Sequence, residues 1–396
     1  MVQLGLKENW KQFALLVIIN AFVGGMIGLE RSILPQLAEQ AFGIASKTAI
    51  LSFIITFGLT KAIVNYFTGK LANSLGRKKL LIIGWIFALP VPFLLIYAPN
   101  WSWIVAANVL LGVNQGLTWS TAVMMKIDLV GDKNRGLAVG INEFAGYLSV
   151  GVVAFLTGYI ANHYGVRPYP FYLGIGFSMV GLLLSVVFVK DTRQYVSIEN
   201  KVSDIPPLAS PFWDTTFRHK SLSAVTQAGL TNNLNDGMIW GLLPLLLLSK
   251  HFTAAQIGIL TAIYPAVWGL SQLGTGRLSD IYSKKGLLFW GMLLQAVGII
   301  GLVWATTFTH FAVIGASLGL GTALVYPTFL SAIAENTTPV QRAESLGTFR
   351  FWRDLGYAIG ALLTGVIADY FGLSLSILSI GVLTALSAFV VLVRMK

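Results

Sequence analysis

Ionisable and amide side chains stand inside long apolar runs of this chain, where each is expensive to bury. Glu30 and Arg31 are adjacent in a run that holds Gly24, Gly25 and Gly28 and reaches Pro35. Lys61 and Asn65 are four apart, on one helical face. Asn114 and Gln115 precede Trp119, and Asn142 and Glu143 sit side by side. Asn232, Asp236 and Trp240 recur at a spacing of four with Asn233 and Asn235 between them, and Arg350, Arg353 and Asp354 crowd one further run. A charged side chain at the centre of a bilayer costs about 2.5–3.5 kcal/mol on an insertion scale, so each of these should face a cavity or a partner. They are the candidates for binding a polar solute and for carrying protons.

Adjacent helical residues point about 100° apart, so Glu30 and Arg31 do not satisfy each other. Lys61 could pair with Glu30 or bind an anionic substrate. Arg350 and Asp354, four apart, are placed to form a salt bridge, which leaves Arg353 as the anion-binding candidate. Glu30, Glu143 and Asp236 are the candidate proton sites. Arg31, Lys61, Arg350 and Arg353 stand against Glu30, Glu143, Asp236 and Asp354. That balance suits a coupled carrier, whose carboxylates alternate between protonated and ion-paired states, better than a cation or anion pore.

The elements that must position these residues follow from composition. Hydrophobic residues make up 55% of the 396 residues and charged ones 11%, against roughly 25% charged in soluble domains. Apolar stretches long enough to cross a hydrocarbon core about 30 Å thick recur twelve times, approximately at 12–37, 46–70, 79–98, 101–126, 136–161, 169–190, 221–249, 254–279, 285–306, 309–334, 342–368 and 372–393. Their length and continuity predict an all-α membrane protein rather than a barrel. The first run is too long for a cleaved signal and is expected to be the first span. Prolines 35, 90, 92, 244, 265 and 327 interrupt spans and allow bending; Tyr264 and Tyr326 precede two of them.

Lys and Arg concentrate on one side of such a topology; only Lys47, Arg167 and Lys250 fall opposite. This bias places both termini in the cytoplasm, and it accounts for the net charge of +11 without nucleic acid. There is no cysteine, and four scattered histidines give no metal-ligand spacing, so no metal or cofactor is expected.

An internal repeat organises the spans. Gly69-Lys70-Leu71-Ala72-Asn73-Ser74-Leu75-Gly76-Arg77 and Gly276-Arg277-Leu278-Ser279-Asp280 follow spans two and eight at an offset of 207 residues. The same offset aligns Gly112 with Gly319, Asp128 with Glu335, Arg135 with Arg342 and Gly165 with Gly372, and residues 136–165 match 343–372 at ten of thirty positions. It also sets Glu143 on Arg350, opposite charges that could close one side of the molecule. The expected organisation is a six-helix bundle over 1–190, a polar cytoplasmic linker over 191–220 with Pro206, Pro207 and Pro211, and a second six-helix bundle over 221–396.

The two basic loops resemble the cytoplasmic loop signature of the major facilitator superfamily, a Gly, a Leu, an Ala and an Asp followed by Gly and basic residues. Asn73 departs from it where an Asp is usual; Asp280 keeps it. The resemblance covers the whole chain and implies two bundles that rock about a central site. It also implies a cytoplasmic gate, here Gly69, Asn73, Arg77, Asp128 and Arg135 with Gly276, Arg277, Asp280, Glu335 and Arg342, weaker at Asn73. Drug and proton antiporters often carry a Gly-Pro signature in the fifth span; Gly140-Ile141-Asn142-Glu143-Phe144-Ala145-Gly146 has no Pro.

The function read from all of this is secondary transport of a small organic solute, proton-coupled and outward. Uptake of an organic anion bound at Lys61 and Arg353 is the alternative; a lipid flippase or a non-transporting sensor is the alternative of another class. No Walker loop, His-Glu-x-x-His site or nucleophile constellation is present, so enzymatic chemistry is not expected. A monomer in a lipid bilayer, with a small molecule and protons as partners, is the expected assembly.

Overall fold

A computed structural model describes residues 3–31, 33, 34, 37, 38, 42–44, 52–131, 134–200, 205–252 and 254–396. Twelve helical spans run through them: α1 Trp10–Arg31, α2 Ser52–Leu75, α3 Arg77–Tyr97, α4 Trp101–Val130, α5 Arg135–Tyr164, α6 Tyr169–Val187, α7 Lys220–Ser249, α8 Ala254–Ile281, α9 Lys284–Leu302, α10 Phe308–Glu335, α11 Pro339–Phe371 and α12 Leu373–Arg394. The Arg31 side chain, Pro35 and Lys47 lie outside the described residues.

Proline acts differently at different sites. At Leu89-Pro90 the span α3 divides into Arg77–Ala88 and Val91–Tyr97. Pro244, Pro265 and Pro327 instead ride inside unbroken helices, which corrects the expectation that each interrupts its span. Packing against neighbouring helices holds those three in place.

Eight spans are long and apolar enough to cross a membrane on hydropathy alone. The four that are not, α2, α4, α7 and α11, pack on one another: α2 lies along α4 and α11, and α11 lies along α7. The polar spans therefore bury their charges against each other rather than against lipid.

The packing is the same in both halves. α1 with α5, α2 with α4, α3 with α4 and α3 with α6 recur as α7 with α11, α8 with α10, α9 with α10 and α9 with α12. Between the halves, α2 meets α11 and α5 meets α8, two seams related by the repeat. Glycines set both approaches. A Cβ on Gly347 would stand 2.8 Å from the Gly69 Cα, and one on Gly276 would stand 2.7 Å from the Gly136 carbonyl oxygen. In a bilayer, where lipid tails are as apolar as leucine, such close backbone packing is a principal source of helix association.

The segment between the halves is not bare coil. It holds a short helix, Arg193–Asn200, and a second helical piece over Pro211–Arg218, wound as a π-helix from Asp214, before His219 accepts from the Leu222 amide and caps α7.

Candidate functional site

Two charge clusters occupy the molecule, one at the basic end and one at the middle of the seams. At the basic end, Arg77 Nε reaches Asp128 at 3.1 Å and Lys284 reaches Glu335 at 2.6 Å. The offset of 207 carries the first pair onto the second, so each half ties its third span to its fourth. Neither Asp128 nor Glu335 has its main partner in the arginine seven residues on. Arg135 and Arg342, themselves equivalent, both bond the carboxylate of Glu199 from the linker helix; the Arg342 contacts are 2.8 and 2.9 Å. Burial works against ionisation of Glu199, but the hydrogen bonds and charge of Arg342 and the charge of Arg135 outweigh it and hold the carboxyl below its ordinary range.

The two seams close differently at this end. Asp280 accepts from the amides of Gly136 at 2.9 Å and Leu137 at 3.1 Å, the first turn of α5, where the helix dipole favours a carboxylate. Asn73 donates instead to the Val340 carbonyl at 2.8 Å and takes one Arg77 hydrogen bond at 2.9 Å. Arg277 makes a long contact of 3.5 Å to Asn134. Gly69 and Gly276 serve as points of close backbone approach, one at each seam.

At the centre, Asp354 is fully buried and is held from both halves. Lys61 stands 3.3 Å away and Asn65 hydrogen-bonds it from α2, while Asn233 at 3.1 Å and Arg353 at 3.5 Å reach it from α7 and α11. The expected Arg350–Asp354 bridge is not formed. Arg350 turns to Ser120 Oγ at 3.0 Å and the Tyr326 hydroxyl at 3.1 Å, and no ion pair joins it to Glu143 among the described residues. The helix rotation that brings Asp354 to α2 points Arg350 at α4 and α10. Lys61 likewise takes Asp354 rather than Glu30, which lies at the end of α1 beside a pocket of about 10 Å³ lined by Phe53, Phe57 and Asn108.

Glu143 accepts from Trp119 Nε1 at 2.8 Å and Asn142 Nδ2 at 2.7 Å. Asn142 also accepts from Lys126 at 2.6 Å, and Lys126 donates to the Leu16 carbonyl at 3.0 Å. Asp236 is hydrogen-bonded by the Tyr264 hydroxyl and, at 3.3 Å, by Tyr357; Trp240 packs at a tilt against Tyr264, ring centres 6.1 Å apart. Asn232 is buried with no partner for either amide atom among the described residues. Asn114 and Gln115 bond the Gly84 and Val23 carbonyls, so they stitch α4 to α3 and α1 rather than lining the seam.

Sequence reasoning missed Glu199, Lys284 and Lys126. Lys126 closes the apolar run Val123-Met124-Met125 and falls on a span boundary, where it reads as an end charge; the structure buries it completely. It upsets the four-against-four balance of charge. The shared offset could have found Lys284, since it maps onto Arg77, but no local signal marks Glu199.

A family model described as Major Facilitator Superfamily matches residues 13–233 and again 226–396. The chain is 24% identical over 381 residues to the proton-coupled antiporter flippase LtaA of Staphylococcus haemolyticus, covering 92% of this chain and 89% of the relative. It is 22% identical to the multidrug resistance protein MdtG of Proteus mirabilis, covering 92% and 91%, and 25% identical to the multi-drug resistance efflux pump PmrA of Streptococcus pneumoniae, covering 91% and 81%. Among solved structures, the human organic anion transporter MFSD10 (TETRAN) shares the fold with a TM-score of 0.78 at 14% identity, over 96% of this chain and 99% of that one.

Proposed function

The chain belongs to the major facilitator superfamily and is a multi-pass membrane transporter, and from that premise we propose that it couples proton entry to the export of an organic solute by alternating access. The observation that carries this reading is Asp354, a carboxylate bonded from both halves at once. Protonation would weaken its ties to Lys61 and Asn65 and so loosen the α2–α11 seam. In the conformation described, the basic end is closed by Asp280, Glu199 and the glycine contacts; we place that end, with both termini, in the cytoplasm. A proton arriving from the opposite side would therefore favour opening towards the cytoplasm, where solute is taken up and the proton released. The names of the LtaA, MdtG and PmrA relatives support coupling and export.

The absence of cysteine gives a clean test that needs no known substrate. Ser345 is buried in α11 near the basic end, so a Ser345→Cys variant should react with a thiol reagent only when that end opens. Acid on the opposite side of a proteoliposome should speed labelling, and Asp354→Asn should make the rate insensitive to pH. Labelling that responds to acid equally with and without Asp354 defeats the proposal.

A further inference from the structure

The charges buried between and beside the two seams cancel in number but not in place. Lys61, Lys126, Arg350 and Arg353 stand against Glu30, Glu143, Asp236 and Asp354. Asp354 is the one carboxylate within ion-pair distance of any of these cations among the described residues, and Lys61 and Arg353 share it. Among the described residues Arg350 hydrogen-bonds hydroxyls, and Lys126 carbonyl and amide oxygens. A buried cation whose donors are not all filled is costly, and a site that keeps one is suited to receive an anion.

The geometry shows where that anion would sit. Arg353 is 1% exposed; its Nη1 faces Asp354, while Nε and Nη2 have no partner among the described residues. Those two nitrogens share the edge of the guanidinium that accepts two oxygens side by side, the bidentate arrangement of carboxylate, sulfonate and phosphate. The Tyr326 ring lies 4.2 Å from the guanidinium carbon. Trp268 packs against Tyr326 with ring centres 6.4 Å apart, and its own Nε1 is buried without a partner. Tyr326 of α10 thus stands between the orphaned donors of Arg353 on α11 and the Trp268 ring on α8.

We infer that the solute carried at this seam is an organic anion, its oxygens on Nε and Nη2 of Arg353 and its apolar body against Tyr326 and Trp268. This rests on the carrier reading above, though not on its direction. The test uses three probes with one body: 2-naphthoate, 2-naphthamide and 2-naphthylmethylamine, each added to the purified full chain in nanodiscs while tryptophan fluorescence and thermal stability are followed. Naphthoate is expected to bind and stabilise, the amide about tenfold or more weakly, and the amine not at all. Arg353→Gln should weaken naphthoate about tenfold or more and leave the amide unchanged, while Arg353→Lys, which keeps the charge but loses the fork, should fall between. Should Arg353→Gln fail to fold, the ranking of the three probes on the native chain and the Arg353→Lys variant still decide. Binding by none of the three, equal binding of amide and naphthoate, or unchanged naphthoate affinity in the Arg353 variants overturns the anion site. Naphthoate that binds but shows no counterflow in proteoliposomes would defeat the carrier reading and leave the anion site standing.

Discussion

At the scale of single residues, the central pair decides most. Lys61 and Asp354 are both buried and 3.3 Å apart, so removing the carboxylate strands Lys61 in a medium that solvates it poorly, and removing Lys61 leaves Asp354 to the longer contact with Arg353. Lys61→Met and Asp354→Asn are each expected to cost about 3–5 kcal/mol of stability, with the double variant losing clearly less than the sum, as read from denaturation in detergent. Additive losses would mean that the two groups do not act as a pair. Both residues are visible in the sequence as charges in apolar runs; their pairing is not, because Arg350 stands at the spacing of four from Asp354 and is the nearer candidate on a single helix.

At the scale of elements, helix contacts at the basic end set how readily it opens. Gly276 admits no side chain: a Cβ there would meet the Gly136 carbonyl at 2.7 Å, and backbone cannot move aside as a side chain can. Gly276→Val is therefore expected to part α5 from α8 and to raise the labelling rate of the Ser345→Cys reporter severalfold, with the fold retained by circular dichroism. The linker helix acts on the same end through Glu199. A carboxyl held below its ordinary value of 4.5 contributes its stabilisation fully above that value and loses it only as the pH falls through its lowered one. The Glu199 clamp should consequently be indifferent to pH between about pH 8 and pH 5, and Glu199→Gln should accelerate labelling throughout that window. A rate that Glu199→Gln leaves unchanged would reduce the linker helix to a connector. The Gly-rich loops advertise these contacts in the sequence, whereas a lone Glu in a polar linker advertises nothing.

At the scale of the whole molecule, the two seams are copies that have diverged. Asp280 caps α5 across one seam, while Asn73 at the equivalent place donates to a carbonyl of α11 and turns its oxygen to Arg77. Asn73→Asp offers α11 the carboxylate that α5 already has, worth about 0.3–1 kcal/mol at a helix start, and should slow labelling of the basic end by roughly two- to fivefold. Faster labelling would show that the lost hydrogen bond to Val340 matters more.

Hydropathy and the offset of 207 residues were enough to determine an all-α chain of twelve spans in two related halves, because a bilayer demands apolar length and a duplicated sequence must fold twice alike. Periodicity also told which charges must be sheltered. Only the tertiary structure decided who shelters whom: Asn65 meets Asp354 across 289 residues, and Glu199 gathers arginines from both halves. A side chain's face is fixed by its own helix, but its partner depends on how far one helix is turned and slid against another, and in this chain that is set by glycine contacts between elements remote in sequence.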